Sequence, residues 1–148
     1  MPNGQNPLPR RKAEMVVFFA FVVGCAASAV LKADVPRSAL LLSIIAAAPL
    51  ILPAAPSLIG VYLIPAVCAA SGLCVTRYIS AEGLTRIPVL CLLVPLIFIA
   101  AASGMEISGR VRMCSRSSPK LKSGGRRAEI LLYLSAAGSL VAAYFIFR

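Results

Sequence analysis

The side chains able to do chemistry in this 148-residue chain are few: five cysteines, five carboxylates, fifteen Lys and Arg, and no histidine. Without histidine there is no bis-His haem ligation, no His-based zinc site and no imidazole general base. The cysteines are Cys25, Cys68, Cys74, Cys91 and Cys114, and no pair has the C-x-x-C spacing of a redox or zinc motif. Cys68 and Cys74, on one helix, stand about 9 Å apart in rise and do not bridge each other. The expectation is no metal and no cofactor.

Four local patterns remain. Val22-Val23-Gly24-Cys25 resembles a bacterial lipobox behind a basic and then an apolar stretch, which would make Cys25 a lipid-modified new N-terminus. The competing reading is a small-residue packing face through Gly24 and Ser28 of a retained helix, and it is preferred because such strings arise readily in Ala/Val/Gly-rich helices. Cys114 stands between Arg112 and Arg116, whose charges favour a thiolate. That makes it a second candidate for lipidation or oxidation, against the plainer reading of a loop cysteine. Nearby, Arg112-x-x-Ser115 and Ser118-Pro119 have forms that kinases accept. Finally, Asp34 and Glu82 fall on the same side of the chain's expected topology. An acid pair there is the least a lipid-modifying enzyme would need, but the sequence does not bring the two together, and catalysis depends on such geometry. A protein without catalytic activity of its own is therefore expected.

What must hold these residues is set by composition. Hydrophobic residues make up 59% and charged ones 14%, with a mean hydropathy of +0.89. Soluble domains run near ~45–50% and ~25%. The chain has too little polar surface to coat a globule of its size, which excludes an ordinary cytosolic enzyme and a disordered tail. The fold class expected is all-α: a multi-pass helical membrane protein of about five transmembrane helices, with a Pro-rich hairpin between the second and third. The apolar spans fall at 15–31, 38–52, 57–76, 84–103 and 129–147. The uncharged run 39–75 is too long for one ordinary crossing of ~30 Å of hydrocarbon. Pro53-Ala54-Ala55-Pro56-Ser57 is the natural place for it to turn. A shallow re-entrant hairpin over 38–76 satisfies the same loop charges. Pro65 and Pro95 fall inside spans and are expected to kink them, Pro95 freeing the carbonyl of Cys91. Around this single transmembrane domain, 15–148, lie a mobile basic segment, 1–14, and a basic loop, 105–127.

Charge orients the spans. With five crossings, ten basic residues share the side of the N-terminus and five lie opposite; treating 39–75 as one crossing sets the N-terminal cluster against the large loop. The positive-inside bias then places the N-terminus and loop 105–127 on the cytoplasmic or matrix-equivalent side. In that loop Arg110, Arg112, Arg116, Lys120, Lys122, Arg126 and Arg127 are candidates for anionic lipid headgroups or an acidic partner. Nucleic acid is not expected, since the loop has no aromatic side chain to stack on a base. In the last span Ser135, Gly138, Ser139 and Ala142 form overlapping small-xxx-small pairs, suited to a contact with another subunit or within the chain.

The function these features favour is a non-catalytic accessory, scaffolding or assembly subunit of a larger membrane complex. Its other integral membrane subunits would be met through Gly24/Ser28 and Gly138/Ala142. The alternative is a small oligomeric transporter or pore, holin-like or channel-like. That requires Ser43, Tyr62, Ser71 and Thr76 to line one groove with the carbonyls freed by Pro65 and Pro95.

Overall fold

The computed structural model describes residues 10–31, 34–114 and 125–148. All regular structure among them is helical: α1 (Arg10–Val30), α2 (Arg37–Ala54), α3 (Gly60–Glu82), a 3-10 turn (Gly83–Arg86), α4 (Ile87–Cys114) and α5 (Gly125–Phe147). Four helical runs are long and apolar enough to span a membrane: Arg10–Val30, Arg37–Ala54, Gly60–Arg112 and Arg126–Phe147.

The third run, 53 residues long, contains α3, the 3-10 turn and most of α4. It does not continue straight. Ile64 and Cys68 near the start of α3 share one buried cluster with Ala100, Ala101 and Met105 near the end of α4. Val75 and Tyr78 from the other end of α3 share a second cluster with Leu90 and Leu93. The two helices are therefore antiparallel, and the reversal falls at Gly83. Its φ of +71° and ψ of −163° belong to a region open only to glycine.

The same two clusters sort the other helices. The first takes Ala13 and Val17 from α1, Ala48, Ile51 and Ala54 from α2, and Leu132 from α5. The second takes Leu40, Leu41, Ile44 and Ile45 from α2 and Ala142 from α5. Successive helices thus alternate in direction, and one end of the bundle collects the starts of α1, α3 and α5 with the ends of α2 and α4. Helix α4 packs against all four others, whereas α1 meets only α3 and α4.

Helix α2 runs through Pro49 and Pro53 and ends at Ala54, two residues before Pro56. Residues 55–59 then close through Ser57 N–H to the Ala54 carbonyl at 3.1 Å, Ser57 Oγ to the same carbonyl at 2.8 Å, and Gly60 N–H to Ser57 at 3.1 Å.

The helices outrun the apolar spans. Helix α1 begins at Arg10, inside the segment expected to be mobile; residues 1–9 lie outside the described ones. Helix α4 continues to Cys114, so 105–114 is helix and not loop, and 125–127 opens α5. The apolar run marks where hydrocarbon can be met, whereas the helix ends where backbone pairing ends. Intrahelical ion pairs carry it further: Arg10 with Glu14 at 3.0 Å in α1, and Glu106 with Arg110 in α4.

Candidate functional site

Helices α1 and α3 cross at two glycines. A Cβ on Gly24 would lie 2.6 Å from the carbonyl carbon of Ala69 and 2.9 Å from its Cα, distances no real side chain adopts. On the other helix, a Cβ on Gly72 would fall into the carbonyl of Phe21 and 3.3 Å from the amide of Cys25. Only residues without a side chain let the backbones approach so closely, and dispersion over that contact is what holds helices together where water supplies no drive. The Cys25 thiol donates to the Gly72 carbonyl at 3.5 Å, and Ser28 is buried one turn further on. Beside the crossing, Phe21 packs on Phe98 of α4 with ring centroids 5.1 Å apart, and Phe18 lies 6.5 Å from the same ring.

This geometry gives the lipobox-like string a packing role. Cys25 sits within α1, half-buried against α3, and a cut before it would remove Ala13, Val17 and Gly24 from the interior. Gly24 and Ser28 also contribute to the chain's own interior, so they are not free to meet a partner helix.

The small face of α5 is spent in the same way. Ser135, Ser139 and Ala142 are buried, and a Cβ on Gly138 would meet the methyls of Leu96 in α4 at 3.3 and 3.6 Å. The Leu96 side chain can yield where the Ala69 backbone cannot. Gly138→Ala is therefore expected to change stability by less than about 1 kcal/mol, its gain in helix propensity offsetting a small displacement. Thermal unfolding in detergent checks this, and a loss as large as that of a core cavity would contradict it.

The groups a pore would need point in different directions. Ser43 and Tyr62 are exposed, Ser71 is buried, and Thr76 is half-buried. Ser43, Ser71 and Thr76 each donate to a carbonyl of their own helix, at 2.7, 2.8 and 3.0 Å. Helices α3 and α4 are continuous through Pro65 and Pro95. Glu82 faces Arg37 at 3.5 Å, joining the end of α3 to the start of α2, while Asp34 is exposed before α2. Among the described residues no group of three His, Cys, Asp or Glu side chains is placed to hold a metal.

Charge gathers at the end of the bundle where α1 and α5 start and α4 finishes. Arg10, Arg11, Lys12, Arg112, Arg126 and Arg127 are exposed there. Arg110 differs: its side chain is 19% exposed, Nη2 pairs with Glu106, and Nη1 is buried with no hydrogen-bond partner among the described residues. Arg116, Lys120, Lys122 and the side chain of Cys114 lie outside the described residues.

Sequence reading missed Gly72, although Ala69-Ala70-Ser71-Gly72 carries the same small-residue signal as Gly24-Cys25-Ala26-Ala27-Ser28. It also missed Ser108, which donates from α4 to the Ser57 carbonyl at 2.8 Å and lies beside Gly60, where a Cβ would come within 2.7 Å of its Oγ. No local pattern announces a contact across that separation in the chain.

Fold and surface together define a helical protein with four runs compatible with crossing a membrane. Compared with known proteins, the chain matches no family model, no curated protein and no solved structure.

Proposed function

We propose that this chain is a five-span integral membrane protein without catalytic activity that serves as an accessory or assembly subunit of a larger membrane complex. Its N-terminus and basic bundle end would face the cytoplasm or an equivalent compartment. On this reading α2 and α3 form a transmembrane hairpin turning at 55–59, and α3 and α4 form another turning at Gly83.

The observation that carries the reading is where polarity goes. The buried hydroxyls of Ser71, Ser108, Ser135 and Ser139 are each bonded to a backbone carbonyl, the described charges sit at the two ends of the bundle, and the outward faces are large and apolar. Such a molecule offers contact area to other helices and little reactivity at mid-depth. One such apolar face lies on α1, where Phe18, Phe19 and Val23 are 56%, 61% and 63% exposed. Partner helices would meet this face, since the small-residue faces are already occupied. The scattering of Ser43, Tyr62, Ser71 and Thr76 gives the pore alternative no shared groove.

The test is extraction from the native membrane in a mild detergent, followed by mass spectrometry of what co-purifies in fixed stoichiometry. The expected result is a defined set of unrelated membrane subunits whose assembly fails when this chain is deleted. A homo-oligomer with no other component would contradict the accessory role and favour the pore.

A further inference from the structure

The membrane-spanning reading leaves one charged side chain with work to do. We propose that Arg110 binds the phosphate of an anionic phospholipid headgroup at the basic end of the bundle. The proposal rests on that membrane reading and extends it to a specific residue and ligand chemistry.

Arg110 lies five residues past Met105, which closes the first buried cluster, and so about 7.5 Å further along α4 at helical rise. On the membrane-spanning reading, this end of α4 reaches headgroup depth. Glu106 takes one arm of its fork through Nη2. The other arm, Nη1, is buried and lacks an acceptor among the described residues. A buried cationic donor left unpaired is costly, and an acceptor arriving from outside the chain removes that cost. Glu14 and Glu129, the remaining carboxylates of this end, are exposed, and Glu14 is paired with Arg10.

A phosphodiester suits this donor better than a carboxylate of a passing protein. It presents oxygens in several directions to a planar fork, and it is found at this depth wherever a bilayer is. The surrounding cations Arg10, Arg11, Lys12, Arg112, Arg126 and Arg127 select for a net negative headgroup. A choline headgroup carries the same phosphate but adds a positive charge that this field repels.

The experiment uses the full chain in detergent and native mass spectrometry of bound lipid, with dioleoylphosphatidylglycerol, dioleoylphosphatidylcholine and inorganic phosphate as probes. The wild-type chain is expected to retain phosphatidylglycerol in preference to phosphatidylcholine. Arg110→Gln should weaken that retention by about tenfold, whereas Arg112→Gln, which removes an exposed charge, should weaken it less than about twofold. Arg110→Lys keeps the charge without the fork and is expected to fall between them; it also supplies a reading if the glutamine variant does not fold. Equal loss in the Arg110→Gln and Arg112→Gln variants would mean diffuse charge and overturn the site. So would unchanged retention in both Arg110 variants, equal retention of the two lipids, or displacement of lipid by millimolar inorganic phosphate. Failure of the membrane reading itself is separable: alkaline carbonate would then release the chain from membranes whatever residue stands at 110.

Discussion

Gly24→Leu is expected to separate α1 from the rest of the bundle. At this position even a single carbon meets backbone, 2.6 Å from the Ala69 carbonyl carbon, and backbone in the middle of α3 has nowhere to move. Gly24→Ala should already cost about 1–3 kcal/mol, the usual range for forcing atoms into a filled interior. The leucine variant should exceed that range, because the remaining carbons require the helices to part. Parting them also removes the thiol bond from Cys25 to Gly72 and the contact of Phe21 with Phe98. The sign is informative, since intrinsic propensity favours alanine over glycine in a helix by about 1 kcal/mol. Loss of stability therefore cannot come from α1 alone. Thermal unfolding of the purified chain in detergent reads the effect. A midpoint drop of roughly 3–10 °C is expected for alanine. For leucine the additional sign is proteolysis of α1 in the otherwise intact protein. If the leucine variant unfolds at the wild-type midpoint, α1 does not cross α3 at this place. Gly72→Leu should behave alike, because it faces the Phe21 carbonyl from the opposite helix.

The contrast between Gly24 and Gly138 explains which parts of the fold the sequence could carry. Both glycines sit in small-residue strings, and both were recognisable as packing positions. What each packs against depends on a second helix far away in the chain, and no local pattern encodes it. Composition and apolar length were enough for the all-helical, membrane-compatible class, since lipid leaves an open backbone no other partner. Proline spacing was a poorer guide to where α2 ends, because the helix continues through Pro53 to Ala54. The reversal at Gly83 was less visible, because a lone glycine before Leu84 differs little from the many glycines inside helices. Several helix ends were set too far inward for a related reason: hydropathy reports the solvent around a segment, and helices continue beyond the apolar stretch. Arg110 was grouped with six other basic residues of the loop. Its burial follows from α4 remaining helical past Glu106, so that it is carried on a packed helix and not in a solvated connection.

Attaching an impermeant maleimide to single cysteines in an otherwise cysteine-free chain should divide the bundle into two faces with an all-or-none difference. Leu58, between α2 and α3, and Leu84, in the 3-10 turn, are 52% and 75% exposed, so substitution there disturbs little packing. Arg127, exposed at the start of α5, marks the basic end. In oriented vesicles Leu58→Cys and Arg127→Cys are expected to react from one side and Leu84→Cys only from the other. The 53-residue run from Gly60 to Arg112 sets this outcome. Extended as a single helix it would measure about 80 Å, far beyond the ~30 Å of hydrocarbon. The shared burial of Ile64 with Met105 and of Tyr78 with Leu90 requires it to fold back on itself. If Leu84→Cys stays unlabelled from both sides, the reversal lies inside the bilayer, and α3 and α4 do not each cross. If Leu58→Cys is the silent one, α2 and α3 form a re-entrant hairpin, and the basic end loses that corner. Labelling of all three from the same side would contradict the membrane-spanning arrangement, because five alternating helices cannot span a bilayer and present Leu84 and Arg127 to one compartment.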